Sequence, residues 1–170
     1  MAMNIVEKID DRVSVNHVLI SVSDKSGLET FVPRLLAINT DIQIFSTGGT
    51  FARLREILGD VANLYPFKET IAKAGVTPEQ ARGNIDIGGP CMIRASAKNF
   101  IRVASVVDPG DYGQIADEMA ADKGSISLAL RYRLARKAFA HTAAYDAAIA
   151  GYLDGTAFAA VEDGYQAQDE

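Results

Sequence analysis

Apolar and polar positions change period several times along this chain, and each change marks a predicted element. Residues 17–22, HVLISV, form a β-rich apolar run that predicts a buried parallel strand. Beyond it Leu28, Phe31, Val32, Leu35 and Leu36 fall on one helical face, with Ser23 or Asp24 as the cap. Pro33 removes a backbone donor inside that helix and predicts a kink. Residues 41–45 alternate around Ile42 and Ile44 as a second strand. They run into Ser46-Thr47-Gly48-Gly49-Thr50, then into a helix carrying Phe51, Leu54, Ile57 and Leu58, with Gly59 as its stop. Strand, small-residue loop and helix thus occur twice in succession. That order sets both loops at the carboxyl edge of a parallel sheet, where open α/β folds bind ligands.

The second half follows the same logic. Pro66 ends any strand in residues 60–67, DVANLYPF. Thr77-Pro78-Glu79-Gln80 is a capping box with proline at the first helical position. The central stretch is residues 84–99, NIDIGGPCMIRASAKN. There Gly88 and Gly89 permit close approach of the backbone to a ligand, and Pro90 suits the first turn of a helix. The free N–H groups of such a helix start favour negative charge. Residues 101–107, IRVASVV, read as another parallel-type strand, and Asp108-Pro109-Gly110-Asp111 caps a helix with Tyr112, Ile115 and Met119. Ser127 caps a long alanine-rich helix over residues 128–153, ~39 Å at the usual rise. Its buried side is traced by Leu134, Ala138, Phe139, Thr142, Tyr145, Ile149 and Tyr152. One domain over residues 1–170 is expected: a polar extension at 1–15, a core at 16–153, and a poorly ordered acidic tail from 154.

Composition narrows the function. A chain of 170 residues, 48% apolar, has room for a true core. Its net charge of −5 argues against a general nucleic-acid or anionic-membrane binder, while leaving room for a local phosphate site built from loop amides and a few lysines. The one cysteine, Cys91, excludes an internal disulfide and fits a reducing cytoplasm. The N-terminal residues lack the apolar run of a signal peptide, and no stretch reaches the ~18 apolar residues of a membrane span. Two distant histidines and one cysteine give no metal-ligand cluster.

Ser21, Ser23 and Lys25, with Ser46, Thr47, Gly48, Gly49 and Thr50, form a candidate phosphate cradle of hydroxyls, amides and one ammonium. Ordinary caps and turns are the competing explanation for either loop alone. Asp86 and Lys98 are candidate acid–base partners. The bland alternative is a turn carboxylate and a cation at a helix C-terminus. Contact between the two requires the Asp86 loop to fold back, or the pair to meet across a ligand. Tyr65, Cys91 and His141 each have a packing role as the simpler reading.

Taken together, SVSDKSGL, FSTGGT, NLYPF, GVTPEQARGNIDIGGP, MIRASAKNF, VVDPGDY and KAFAHTAAYDAAIAGYL resemble the IMP cyclohydrolase domain of the bifunctional purine-biosynthesis proteins, from about Val18 to Leu153. The resemblance implies an α/β fold: a methylglyoxal-synthase-like three-layer domain with a mainly parallel sheet flanked by helices. It implies closure of the second purine ring, converting formamidoimidazole carboxamide ribotide (FAICAR) to IMP with loss of water. Ser21, Ser23, Lys25, Ser46, Gly48 and Thr50 would hold the 5′-phosphate; Asn63, Asp86, Ile87 and Gly88 would contact the base; Tyr65, Asp86 and Lys98 would be the catalytic set. No cofactor or metal is implied, and a homodimer is. Methylglyoxal synthase itself is a poorer match, because the IDIGGP and NLYPF blocks do not suit it.

The chain departs from the family twice. The transformylase half is absent, which implies a stand-alone cyclohydrolase and a separate transformylase chain as partner. Between Leu58 and Asn63 the family carries several dozen more residues, with an Arg-Val-Lys-Thr-Leu-His-Pro block whose lysine belongs to the active site. Here only Gly59, Asp60, Val61 and Ala62 intervene. Either a segment is omitted at the Asp60–Val61 junction, or the domain is genuinely shortened; in the second case a non-catalytic nucleotide-binding or regulatory domain on the same fold is the alternative.

Overall fold

In the computed structural model of the chain, residues 6–46, 48–57 and 77–162 are described. Asn63, Tyr65 and the Asp60–Val61 junction lie outside these residues, as does Thr47. The described elements run β1 (Arg12–Ser14), β2 (His17–Leu19), α1 (Leu28–Ile38), β3 (Gln43–Phe45), α2 (Gly48–Ile57), α3 (Pro78–Gly83) and α4 (Gly88–Lys98). A 3-10 turn at Pro109–Asp111 leads to α5 (Tyr112–Ala121), β4 (Ser125–Ser127), α6 (Leu128–Asp154) and α7 (Phe158–Glu162).

The molecule is α/β and rich in helix. β2 and β3 pair in parallel, Val18 opposite Ile44, as the repeated strand–loop–helix pattern requires. β1 pairs antiparallel with β4, Val13 opposite Ile126. The first fifteen residues are therefore more than an extension: Arg12–Ser14 is a strand, and Val15 N–H donates to Gly124 O at 2.9 Å. The turn into β4 is left-handed at Lys123 (φ 51°) and Gly124 (φ 84°).

The expected strand over residues 101–107 is not regular sheet. A strand needs a neighbour for its ladder. Instead, a cavity of about 460 Å³ lies against both the β2 segment and residues 102–107, lined by Ile20, Val106, Ile115, Met119 and Ile126 among others. Among the described residues the sheet is two pairs of short strands, smaller than the mainly parallel sheet that the sequence suggested.

Helix signals translate more directly. Thr77 and Gln80 form the reciprocal capping box, and Ser127 Oγ accepts from Leu130 N–H at the head of α6. α1 starts later than Ser23 or Asp24 would set it. Its N-cap is Gly27, at φ 78°, while Asp24 Oδ1 accepts from Ser26 N–H. α1 runs through Pro33, which faces solvent, so the Glu29 carbonyl left without a partner need not be buried.

Leu28, Phe31, Val32 and Leu35 of α1 meet Ile115, Ala116 and Met119 of α5, Ile126 of β4, and Leu130 and Leu134 of α6. A second, small-residue contact joins Ala97 of α4 to Ala135 and Ala138 of α6. On α6, Leu134, Ala138 and Thr142 are buried as expected; Phe139 is exposed, and Tyr145, Ile149 and Tyr152 are half-buried.

Arg131 of α6 is fully buried. Its guanidinium donates from Nε to Phe100 O (2.9 Å), from Nη1 to Asp11 O (3.1 Å) and Ile126 O (2.7 Å), and from Nη2 to Asp10 O (2.8 Å) and Ile101 O (3.2 Å). All five guanidinium donors are thereby used. Burial pulls its pKa below the ordinary value, opposed first by the charge of Asp11. One side chain thus holds the entry to β1, the exit of α4 and the middle of β4 on the long helix.

Candidate functional site

The two loops after β2 and β3 are joined by a hydrogen bond. Thr50, fully buried in the first turn of α2, donates from Oγ1 to Val22 O at 2.8 Å. Its proton is committed to that carbonyl, so toward a phosphate its hydroxyl can act as an acceptor only. We expect Thr50→Val to leave Val22 O unpaired and to lower stability by ~1–2 kcal/mol, with Thr50→Ser near wild type, both read from urea midpoints.

Ser21 Oγ and Ser46 Oγ, at the carboxyl ends of the paired strands, are buried and have no hydrogen-bond partner among the described residues. Native proteins rarely leave such hydroxyls unpaired. Lys25 Nζ donates to Ser23 O at 3.2 Å, which folds the first loop on itself. Gly48 and Gly49 open α2.

The head of α4 is built by Asp86. Its Oδ1 accepts from Gly89 N–H at 3.1 Å, and its own N–H donates to Tyr145 Oη on α6 at 2.8 Å. Pro90 is the third residue of the helix, in its first turn as expected, and Cys91 N–H closes on Ile87 O. The Gly89 amide is thus occupied by the chain's own carboxylate, and Pro90 has none. This mouth offers fewer free amides than the glycine pair suggested. Ile87 is exposed, as is Gly88.

Ser21, Val22 and Gly89 line the same cavity, together with Val107 and Tyr112. The first loop and the head of α4 therefore face one space. Lys98 does not join them. It is exposed in the last turn of α4, ten residues and about 15 Å of helix from Gly88. Within one chain it has no contact with Asp86.

Tyr112 escaped the sequence reading as anything but a core residue. Its ring stacks on Phe31 with centroids 4.3 Å apart, and a Cβ at Gly27 would lie 3.3 Å from it. Burial, then the charges of Asp24 and Asp108, push its pKa up to about 12. Because the folded pKa is raised, its contribution to stability is intact below the unfolded value near 10 and is lost as pH rises toward 12. Ultraviolet titration is expected to show one tyrosine ionising near 12, and Tyr112→Phe to abolish that step.

The Asp108–Asp111 turn is fixed by α6. Lys137 Nζ bonds Asp108 and, at 2.8 Å, Asp111; Arg133 bonds Asp111 at 3.0 Å. The Lys137 ammonium, then the Gly110 N–H, hold the Asp108 carboxyl below the usual carboxylate range. Among the described residues no group of His, Cys, Asp and Glu is placed to hold a metal ion, and no helix is long and apolar enough to cross a membrane.

Comparison with known proteins names the class. Residues 96–169 match the family described as "AICARFT/IMPCHase bienzyme". The chain is 38% identical over 192 residues to the bifunctional purine biosynthesis protein PurH of Acidithiobacillus ferrooxidans, covering 82% of this chain and 36% of that protein. It is 38% identical over 190 residues to PurH of Sorangium cellulosum, with the same coverage. A solved structure, "Crystal structure of ForH", superposes with a TM-score of 0.65 at 24% identity, over 79% of this chain and 94% of that one, and shares its fold. The chain belongs to the PurH family and spans about a third of the length of these relatives. The aligned stretch of 192 residues exceeds the whole chain of 170, so the relative carries residues there with no counterpart here.

Proposed function

We propose that this chain is an IMP cyclohydrolase, closing FAICAR to IMP with loss of water. The observation that carries the reading is the pair of buried, unpartnered hydroxyls of Ser21 and Ser46 at the ends of adjoining parallel strands. A 5′-phosphate supplies the acceptors those hydroxyls lack. In this reading Ser21, Ser23, Lys25 and Ser46 take the phosphate with the amides of Gly48 and Gly49, while Thr50 ties the two loops together. The heterocycle lies toward Asp86, Ile87 and Gly88, with Asn63 and Tyr65 completing the site. The methylglyoxal-synthase-like three-layer arrangement and a homodimer belong to the same reading.

The chemistry asks for little else. The carboxamide nitrogen attacks the formyl carbon and gives up one proton as the formyl oxygen becomes a hydroxyl; the formamido nitrogen then gives up its proton, its C=N bond forms, and the protonated hydroxyl leaves as water. Asp86, held at the head of α4, is the acceptor at the nucleophile. Lys98 enters only across the ligand, given its distance from Asp86 along the helix. Purified chain incubated with FAICAR is expected to form IMP. In Lys98→Ala, lost turnover with intact IMP binding keeps that lysine in the site, and unchanged turnover removes it.

One observation favours a second reading. The aligned relative carries residues without counterpart here, and the family's Arg-Val-Lys-Thr-Leu-His-Pro block is absent from this sequence. Binding of IMP or XMP without turnover of FAICAR would make the domain a non-catalytic nucleotide binder.

A further inference from the structure

The segment between α3 and α4 is held from both ends. At its start Asn84 Nδ2 donates to Gln80 O at 2.7 Å and Ile85 N–H to Arg82 O at 3.1 Å, so the chain leaves α3 in a fixed direction. At its end Asp86 Oδ1 holds Gly89 N–H at 3.1 Å. Between these points the Asp86 backbone is tied to a distant element: its N–H donates to Tyr145 Oη at 2.8 Å, 59 residues away on α6.

α6 is a rigid reference for this contact. It runs for 27 residues, packs Ala135 and Ala138 on Ala97 of α4, and holds Arg131 in five carbonyl bonds. Two hydrogen bonds in series then fix Asp86. One sets its backbone relative to α6, and the other sets its carboxylate relative to the helix it begins. We propose that Tyr145 is a positioning residue for Asp86, setting where that carboxylate stands against a bound nucleotide; this rests on the ligand site proposed above. Tyr145 does not need to touch the ligand. Its ring reaches from α6, and burial raises its pKa, so the neutral phenol persists at physiological pH.

Removing only the phenolic oxygen tests this. In Tyr145→Phe the Asp86 N–H loses its acceptor. In ¹⁵N-labelled protein we expect the Asp86 amide to exchange with solvent roughly tenfold faster, with the far-ultraviolet circular dichroism unchanged. With FAICAR, kcat is expected to fall roughly tenfold while KM stays within about twofold, because the phosphate contacts are untouched. Tyr132→Phe, on an exposed part of the same helix, is expected to change neither quantity. An unchanged Asp86 amide in Tyr145→Phe overturns the proposal, as does a rise in KM with kcat constant. If wild-type chain binds IMP without turnover, the cyclohydrolase reading falls on its own. The positioning role then stands on faster Asp86 exchange together with a several-fold loss of IMP affinity in Tyr145→Phe, and is overturned if either is missing.

Discussion

Replacing Arg131 with methionine is expected to lower the free energy of unfolding by ~3–5 kcal/mol. The guanidinium is buried and bonds only main-chain carbonyls in its five contacts. Methionine fills much of the volume but leaves the carbonyls of Asp10, Asp11, Phe100, Ile101 and Ile126 without that donor. Lysine is expected to rescue little, because one ammonium with three donors cannot reproduce a planar fork with five. Urea denaturation of wild type, Arg131→Met and Arg131→Lys reads the difference. A loss below about 1 kcal/mol in the methionine variant would mean that water satisfies the carbonyls instead.

Leu28→Ala is expected to cost ~2–5 kcal/mol, the range for a leucine emptied from a packed core. Leu28 is fully buried at the first position of α1, directly after the loop carrying Ser23 and Lys25. Its N–H also faces Lys25 O at 3.4 Å. The cavity therefore opens under the loop proposed to hold phosphate, and affinity for IMP should weaken along with stability. Leu134→Ala, equally buried but on α6 beyond that loop, should destabilise to a similar degree and leave affinity unchanged.

What the residues disclosed in advance is what short-range chemistry decides. The Thr77–Gln80 box, the Ser127 cap and the buried face of α1 each depend on neighbours three or four positions apart. The alternation around Ile42–Ile44 and the run at 17–22 located the one parallel pair among the described residues, though the strands are shorter than expected. Non-local choices were hidden. Nothing in the leader announces that Arg12–Ser14 will pair with Ser125–Ser127. IRVASVV has strand composition, but a strand exists only with a neighbour, and here a cavity lies beside it. An arginine in an alanine-rich helix reads as surface until its five acceptors, from three separate stretches of chain, are known.

In the candidate site the same division holds. The two small-residue loops could be read from their spacing, as could the helix that starts at the glycine pair. That Asp86 caps its own helix, that Thr50 spends its proton on Val22, and that Lys98 stands a helix length away follow from geometry alone. Tyr145 gave no signal beyond an apolar stripe, since its partner is 59 residues distant.

The pairing of Arg12–Ser14 with the run into α6 also fixes where the polypeptide can be cut. A fragment starting at Asn16 would look complete by its apolar runs, yet it would lack two of the oxygen atoms around Arg131 and the whole partner of Ser125–Ser127. Nicking by a protease after Val15 would therefore yield no durable trimmed product, and digestion would proceed onward into the long helix.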